Sequence, residues 1–486
     1  MAGTADENVI KIKHEVLREV ARHAFAGDLE KERDNIPYTL IPGPNPQFRC
    51  CIYKEREIIR QRIRLAEGKA SGPVDDGNIV QVIHAACEDC PISSYTVTEN
   101  CQNCLGKACL NACKFGAIEA GRDRTHIDPQ KCKECGQCAK ACPFNAIAHL
   151  KRPCKNACPV DAITYNEYGI SVIDPKKCIR CGQCIHSCPF GAIGLKRAIV
   201  PVVEAIKDPN KKVYAMAAPA TEGMFGPQIT MKSWKKALKE LGFNDFIEVG
   251  LGGDMTAAYE AEEWAEAYEK GEKKVTSCCP GFVNMVRNHF PELKDRVSTT
   301  VSPMCAVSRM IKAKEPDAIT VFIGPCVAKK SEIADQQIEG NCDYSMNYSE
   351  VRAMMRAKGV ELMPDDTSYQ ESSVYGKRFG NSGGVTAAVV QSLKEKEHGI
   401  EPKVCIANGA KECKKALMML KMGRLPEDFV EGMCCEGGCV GGPAAFNDQV
   451  TSKKSREDLL SKADERGIWE NLENYHMETF SMHREG

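Results

Sequence analysis

The sequence lacks the features of three large classes of protein. It has no run of roughly 18 apolar residues, and its mean hydropathy is −0.35, so we expect no membrane-spanning helix. Its 65 Lys and Arg residues are balanced by 66 Asp and Glu residues, and the net charge of −1 argues against a nucleic-acid partner held by a basic face. The N-terminus has no charged start followed by an apolar core, so we expect no secretory signal.

Cysteine is the residue that the sequence has in excess. Of 486 residues, 28 are cysteine: 18 lie between Cys50 and Cys188, and 10 lie between Cys278 and Cys439. Secreted disulfide scaffolds are also rich in cysteine, but they are short. Here the cysteines fall in tight C-x2-C and C-x3-C groups, whose members bridge each other poorly and converge well on a metal centre. We therefore favour metal ligation in a reducing cytoplasm, as in an anaerobic organism.

Two cysteine runs, each followed by proline, have the spacing of bacterial ferredoxins. In such a run three cysteines hold one [4Fe–4S] cluster and the fourth reaches the neighbouring cluster. Thiolates suit iron because both are soft. The first run is Cys132, Cys135, Cys138 and Cys142, and the second is Cys178, Cys181, Cys184 and Cys188.

Weaker cysteine groups accompany the two ferredoxin runs. A complete run with a longer internal gap consists of Cys101, Cys104, Cys109 and Cys113. A run without its leading C-x2-C consists of Cys154 and Cys158, and an isolated C-x2-C upstream consists of Cys87 and Cys90. Cys50 and Cys51 stay unassigned, because adjacent residues ligate one cluster poorly.

The intervals between the runs predict how they pair. Cys113 and Cys132 are 19 residues apart, Cys158 and Cys178 are 20 apart, and both intervals carry an Ala-Ile and an Ile-Asp-Pro. We therefore expect two ferredoxin-like modules in tandem, rather than one module with an insertion, and four clusters that serve as an electron wire. A single ferredoxin formed by the two strongest runs, with fewer clusters, is the alternative. The expected ligand sets are Cys101, Cys104, Cys109 with Cys142; Cys132, Cys135, Cys138 with Cys113; Cys178, Cys181, Cys184 with Cys158; and Cys188 with Cys154, Cys87 and Cys90.

From about residue 211 strands alternate with helices, which predicts an α/β domain. We expect strands at 211–219 and 319–324 and helices at 233–241 and 256–270. Three loops here combine cysteine with glycine, which lets the backbone approach a bulky cofactor and donate N–H groups to sulfur. These loops span residues 276–282, 324–332 and 431–443. Gly250-Leu-Gly-Gly lacks the third glycine of a dinucleotide fingerprint.

The three loops resemble, in the same order, the three signature motifs of [FeFe]-hydrogenases, and the divergent group B subgroup is the most similar. With the ferredoxin-like runs the resemblance covers roughly residues 85–445. It implies a two-lobed α/β domain that carries an H-cluster, a [4Fe–4S] cubane joined to a two-iron site with CO, CN and a dithiolate bridge. The implied reaction is the reversible conversion of 2H⁺ and 2e⁻ to H₂. The implied partners are ferredoxin or another low-potential carrier and the H-cluster maturation enzymes.

The resemblance also implies a role for individual residues of the second half. Cys279, Cys326, Cys435 and Cys439 match the cubane ligands, and Cys439 matches the bridge to the two-iron site. The other matched residues are the proton-relaying thiol Cys278, the cyanide-contacting Lys329, the methionine Met433 near a bridging CO, and Pro219 with Ala220 in the segment that lines the two-iron site. Glu260, Ser302 and Glu263 stand where the proton route of the family continues. A thiol that titrates near neutrality and a compact ammonium suit these tasks.

Several positions depart from the usual family pattern while the cluster ligands stay intact. Phe282 replaces a tryptophan, Gly324 a methionine, and Ala220 a serine that donates to cyanide. Ala267 stands where an arginine closes the outer proton route. These changes bear on turnover, oxygen tolerance and the exit of the proton path.

The sequence predicts three regions and leaves two other functions open. The regions are a mostly helical arm over residues 1–84, ferredoxin-like modules over 85–197, and the H-cluster domain with a helical tail over 198–486. The alternatives are a non-catalytic iron–sulfur assembly or scaffold protein and a hydrogen sensor. Because Cys278, Lys329 and Met433 are all present, the enzyme is favoured.

Overall fold

The N-terminal region is helical in the computed structural model, which describes residues 4–87, 90, 95–365 and 369–484. Its four helices are α1 (Thr4–Ala26), α2 (Leu29–Glu32), α3 (Ile36–Leu40) and α4 (Ile52–Ala66). None of the helices in these ranges combines the length and the apolar character that crossing a membrane requires.

The cysteine-rich region consists of short strands and one-turn helices. The strands are β1 (Val80–Val82), β2 (Tyr95–Val97), β3 (Ile118–Ala120), β4 (Thr125–Ile127), β5 (Ile147–His149), β6 (Ile163–Tyr165), β7 (Ser171–Ile173) and β8 (Ile193–Leu195). The helices are α5 (Ala108–Ala112), α6 (Gln137–Ala141), α7 (Pro153–Ala157) and α8 (Gln183–Ser187). All pairings are antiparallel: β2 with β5, β3 with β4, β6 with β7, and β1 with β8.

The strand pairing corrects the expected tandem order of the two modules. Module one contains β2–β5 and module two contains β1 and β6–β8, so module one is inserted into module two between β1 and α7. This nesting explains why a C-x2-C at Cys87 and Cys90 precedes module one in the chain. Strand β1 also lies within residues 1–84, which the sequence assigns to the arm.

The second half contains two parallel sheets surrounded by helices. The strands are β9 (Val213–Ala217), β10 (Asp245–Glu248), β11 (Lys274–Val275), β12 (Ile319–Ile323), β13 (Tyr344–Met346), β14 (Val404–Asn408) and β15 (Phe429–Met433). The α-helices are α9 (Ile199–Lys207), α10 (Met231–Leu241), α11 (Val249–Glu269), α12 (Pro280–His289), α13 (Pro303–Lys314), α14 (Lys329–Glu332), α15 (Tyr348–Lys358), α16 (Val374–Arg378), α17 (Gly384–Glu395), α18 (Ala410–Lys421), α19 (Gln449–Leu460) and α20 (Ile468–Leu472). The strand orders are β10-β9-β12-β13 and β11-β15-β14.

The four-stranded sheet is buried on both faces, as parallel sheets are when helices cover them. Along β9, Val213 and Ala215 face one core and Met216 faces the other. Helices α1, α9 and α15 contribute to the first core, so the N-terminal arm packs directly on the α/β domain. The α/β fold, the strands β9 and β12 and the helix α10 are as the sequence predicts. Helix α11 is also present, but it begins at Val249 rather than at residue 256.

The Gly250-Leu-Gly-Gly segment serves helix packing. It forms the first turn of α11, and a Cβ atom at Gly252 would lie 2.1 Å from the carbonyl oxygen of Pro303 at the start of α13. Glycine therefore lets α11 and α13 touch, and α11 carries Glu260 and Glu263 into the interior.

Candidate functional site

The cysteines of module one form two groups of four, each around its own partly enclosed cavity. Set 1 is Cys101, Cys104, Cys109 and Cys142. Set 2 is Cys113, Cys132, Cys135 and Cys138. These are the sets that the spacing predicts.

The cysteines of module two form two further groups, identified by the electrostatic interactions among their thiols. Cys158 interacts with Cys178, Cys181 and Cys184, which we name set 3. Cys154 and Cys90 interact with Cys87 and Cys188, which we name set 4. The nested topology places the isolated C-x2-C beside these two partners.

One cysteine in each set is held by the same backbone arrangement. The thiols of Cys113, Cys142, Cys158 and Cys188 each accept the N–H of the alanine four residues on, at 3.3–3.4 Å. The residue before that alanine has a positive φ in every case and is Gly116, Asn145, Asp161 or Gly191. Glycine, asparagine and aspartate tolerate this conformation best. The alanine of the repeated Ala-Ile pair therefore donates its backbone N–H to a cysteine sulfur.

The thiol sets fit iron–sulfur clusters better than single ions. Within the described ranges, no three His, Cys, Asp or Glu side chains come close enough to hold one metal ion. A [4Fe–4S] cube is larger and is gripped at four corners, so its ligands surround a space. Soft thiol donors and a backbone N–H bond to sulfur occur in all four sets, and sets 1 and 2 also line cavities.

The three cysteine loops of the second half meet at the carboxyl ends of parallel strands. The first loop follows β11, the second follows β12 and the third follows β15. Their thiols Cys279, Cys326, Cys435 and Cys439 interact electrostatically in every pairwise combination. All four keep partial surface exposure although they lie deep in the domain, so they border an interior space. We name them set 5.

Cys434 lies behind set 5 and outside it. Its thiol is hydrogen-bonded to Cys279 and Cys413, and the bond from Cys434 lowers the pKa of Cys279 to about 6 against the opposing effect of burial. Cys435 instead faces the other three thiols of the set. This arrangement agrees with the match of Cys435 to a cubane ligand that the resemblance implies.

Cys278 is buried next to set 5 and close to the buried carboxyl group of Glu260. Burial first, and then the neighbouring Glu260, raise the pKa of the Cys278 thiol well above its ordinary value. Glu260 is 0% exposed, and neither of its oxygens has a hydrogen-bond partner among the described residues. Burial and Glu263 raise the pKa of Glu260 well above its usual range. Burial therefore favours the neutral, protonated form of both groups.

Lys329 is buried, and its ammonium group donates hydrogen bonds to three oxygen atoms of the protein. Its Nζ lies 2.6 Å from Glu332 Oε2, 2.7 Å from Ser302 Oγ and 3.5 Å from the Cys278 carbonyl oxygen. Ser302 Oγ in turn donates to Glu332 Oε1 at 2.5 Å. Burial disfavours the ammonium, but Glu332 outweighs it and raises the pKa of Lys329. Lys329 thus stays charged beside set 5.

The structure does not bring Ser302 to the two glutamates, which corrects the expected proton route. The serine beside them is Ser298, whose Oγ donates to Glu263 Oε2 at 2.6 Å and lies near Glu260. Ser302 belongs to the Lys329 cluster instead. Both serines precede α13, and no local pattern in the sequence distinguishes them.

Lys274 is a second residue that the sequence analysis missed. Its Nζ lies 3.2 Å from Glu263 Oε1, and the two side chains are 16% and 13% exposed. Ala267, where the family has an arginine, is buried on α11. The positive charge beside Glu263 is thus that of Lys274, which lies on β11. Glu332 was also missed, although its three-residue spacing from Lys329 on α14 is a signal for an ion pair.

The remaining expected residues border the same region. Met433 ends β15 and is buried in one core with Cys278. Pro219 and Ala220 follow β9, and Ala220 is buried against Gly380, which also approaches Cys439.

Known proteins match this chain in both of its cysteine-rich parts. Residues 211–443 match the family model described as "Iron only hydrogenase large subunit, C-terminal domain", and residues 125–148 and 171–194 match the model "4Fe-4S binding domain". Iron hydrogenase 1 of Clostridium pasteurianum is 29% identical over 406 residues, which cover 70% of this chain and 69% of that protein. The periplasmic [Fe] hydrogenase large subunit of Nitratidesulfovibrio vulgaris is 29% identical over 298 residues, which cover 50% of this chain and 71% of that protein.

Two further matches are more distant. The cytosolic Fe-S cluster assembly factor narfl of Xenopus tropicalis is 24% identical over 294 residues, covering 49% of this chain and 61% of that protein. The solved structure of apo [FeFe]-hydrogenase HydA1 of Chlamydomonas reinhardtii aligns with a TM-score of 0.46 at 22% identity, covering 56% of this chain and 91% of that one.

The fold and the thiol sets define an iron–sulfur protein with ferredoxin-like modules. Within that class, residues 211–443 form a C-terminal domain of the iron-only hydrogenase large-subunit family, and the 4Fe-4S binding domains precede it in the chain.

Proposed function

We propose that this protein is an [FeFe]-hydrogenase that interconverts protons, electrons and H₂ at an H-cluster. The observation that carries the proposal is the convergence of Cys278, Glu260 and Lys329 beside set 5. A protein that only stores a cubane needs four thiols and no buried acid or ammonium near them. Burying such groups costs free energy, so a function must account for them.

The residues of the second half fit the parts of an H-cluster. Set 5 would hold the cubane, and Cys439 would also bridge to the two-iron site, with Met433 and the Pro219–Ala220 segment as neighbours. The bound H-cluster supplies the two-electron chemistry, which side chains alone do not provide. The residues of this chain place the group, keep water out and bring protons to it.

Protons would reach the site through Cys278, Glu260, Ser298 and Glu263, with Lys274 at the outer end. Burial raises the pKa of both Cys278 and Glu260 and so favours their protonated forms, and Glu260 lies close enough to act on the Cys278 thiol. The Ser298 hydroxyl can accept a proton from one carboxyl group and donate its own to the other. The Lys274 ammonium holds the Glu263 carboxylate in place close to the surface.

Lys329 would place a cyanide ligand by its charge. Its ammonium is fixed by Glu332 and Ser302, and the bond to the Cys278 carbonyl is the longest of the three. That bond is the one most readily exchanged for an anionic ligand. A buried, fixed ammonium is a strong partner for such a ligand because little solvent screens it.

Electrons would pass through the four sets of the ferredoxin-like modules, which we assign to four accessory [4Fe–4S] clusters. Cys435 of set 5 interacts with Cys181 of set 3, and Cys184 of set 3 interacts with Cys154 of set 4. The order is therefore set 5, set 3 and set 4, with sets 1 and 2 beyond them. We propose ferredoxin or another low-potential carrier as the electron partner.

The second candidate is an iron–sulfur assembly or scaffold protein, which the similarity to assembly factors favours. Such a protein would use the thiol sets without H₂ chemistry.

The hydrogenase also needs maturation enzymes to supply the two-iron site. We also propose a reducing cytoplasm as the compartment, because the tight cysteine groups favour metal ligation over disulfides.

Infrared spectroscopy of the anaerobically matured protein separates the two candidates. CO and CN stretching bands together with H₂ evolution are expected for the hydrogenase. Maturation that succeeds on a control hydrogenase but gives no bands here would overturn the proposal in favour of the scaffold.

A further inference from the structure

Helix α19 covers the loop Pro219–Gly223 and lies beyond residues 211–443, the range that the family model matches. A Cβ atom at Gly223, whose φ is +78°, would lie 2.6 Å from the backbone nitrogen of Arg456. Helix and loop therefore touch backbone to backbone. Just before the helix, Asn447 Nδ2 donates to the Met224 carbonyl at 2.9 Å.

Arg456 connects this helix to two loops of the hydrogenase domain. It is 1% exposed, and its guanidinium donates to the carbonyl oxygens of Pro219, Glu222 and Lys377, the Glu222 bond being 3.1 Å long. The nearby Glu222 carboxylate bonds to Lys377 Nζ at 3.1 and 3.2 Å. The two terminal nitrogens of Arg456 thus donate to main-chain oxygens, and a planar guanidinium can hold several of these at once. Its buried Nε has no hydrogen-bond partner among the described residues.

The clamped loop lies against set 5. A Cβ atom at Gly380 would be 3.5 Å from Ala220 N and 3.7 Å from Cys439 Cβ, so the loop and Cys439 share one neighbour. The positive charge of Arg456 also acts on the Cys439 thiol. A shift of the Pro219 carbonyl would therefore move the main chain of the loop that lies near Cys439.

We propose that Arg456 is a positioning residue that fixes the Pro219–Glu222 loop and thereby sets the wall of the pocket beside Cys439. The clamp itself is a property of this fold, and its effect on a bound two-iron group rests on the proposed function. Removing the guanidinium leaves three buried carbonyl oxygens without their donor, and this frees the loop.

The test uses Arg456→Met, Arg456→Lys and a control on the same helix, Glu457→Gln. Glu457 pairs with Arg378 at 3.3 Å on the surface, with side chains 61% and 47% exposed, so the control loosens the helix without touching the clamp. Hydrogen–deuterium exchange is measured on the full chain with its [4Fe–4S] clusters but no two-iron site. We expect exchange over residues 217–225 to be about tenfold faster in Arg456→Met, intermediate in Arg456→Lys and unchanged in Glu457→Gln.

Infrared spectra of the matured variants give the second readout. We expect shifted or broadened CN bands in Arg456→Met, partial recovery in Arg456→Lys and wild-type bands in Glu457→Gln. Unchanged exchange in a folded Arg456→Met or Arg456→Lys protein would overturn the clamp, and unchanged bands would overturn its role in positioning. Faster exchange together with a wild-type protein that shows no bands would support the clamp while rejecting the hydrogenase. If Arg456→Met does not fold, Arg456→Lys decides both points.

Discussion

The Ser298 hydroxyl donates to the Glu263 carboxylate at 2.6 Å and lies near the buried carboxyl group of Glu260. It is therefore bonded to one and close to the other of two acids that stand one helical turn apart on α11. Ser302, four residues further along the chain, donates to Glu332 instead.

Replacing Ser298 with alanine tests this link. Because the hydroxyl is the only proton-carrying group that we place between the two acids, we expect Ser298→Ala to lower H₂ evolution by about 10²-fold. Wild-type iron content and CN bands are expected, since Ser298 does not contact set 5. Ser302→Ala is the matched comparison and should shift the CN bands through Lys329. Equal loss of rate in both variants, with unchanged spectra, would contradict the assignment.

Replacing Lys274 with glutamine tests the outer end of the route. We expect Lys274→Gln to slow turnover by about tenfold, because Glu263 loses its partly buried cationic partner at 3.2 Å. The measurement is H₂ evolution in H₂O and D₂O, and a larger solvent isotope effect is expected. Lys270→Gln is the control, since Lys270 pairs with the exposed Glu266. A Lys274→Gln enzyme as fast as this control would remove Lys274 from the route.

Replacing Glu260 with glutamine should lower activity and raise stability together. Burial raises the pKa of Glu260 above its unfolded value, so the folded protein holds this proton to a higher pH than the unfolded chain does. The stability linked to this group is complete below its unfolded pKa and is lost as the pH rises toward the folded pKa. We expect Glu260→Gln to have a higher Tm than wild type at pH 7–8, no advantage at low pH, and about 10²-fold lower turnover.

A pH series of thermal melts on both proteins checks the stability. The prediction fails if the Tm difference is the same at every pH, because the carboxyl group would then not titrate between the folded and unfolded states.

Replacing Cys435 distinguishes it from its neighbour Cys434. The five sets hold roughly 20 iron atoms if each takes one [4Fe–4S] cluster. We expect Cys435→Ala to lose roughly four of them and the cubane signal in electron paramagnetic resonance. Cys434→Ala should keep its iron, because Cys434 is not a member of set 5 and contacts that set through its hydrogen bond to Cys279. Iron loss in Cys434→Ala together with full iron content in Cys435→Ala would make Cys434 the cubane ligand instead of Cys435.

Replacing Cys154 counts the accessory clusters. We expect Cys154→Ala to lose one cluster signal while sets 1, 2 and 3 keep theirs, since only set 4 contains Cys154. Cys51→Ala is the control, because Cys51 is exposed and belongs to no set. Full iron content in Cys154→Ala would favour the single-ferredoxin alternative.

The sequence by itself determined the chemistry of the ligands. Cysteine spacing and the repeated Ala-Ile predicted four sets that the structure brings together, because a cluster loop is local and its turns need glycine, asparagine or aspartate at fixed offsets. Alternating strands and helices likewise predicted the α/β domain. These features depend on residues that are close along the chain.

Only the tertiary structure decided how distant segments meet. Module one is inserted into module two. Ser298, and not Ser302, contacts Glu263. Lys274 pairs with Glu263, whereas Ala267 on the same helix as Glu263 carries no charge. Arg456 of the tail is buried against the Pro219 loop. Each of these contacts joins side chains across different elements, and their energies depend on burial and orientation, which no local pattern of residues encodes.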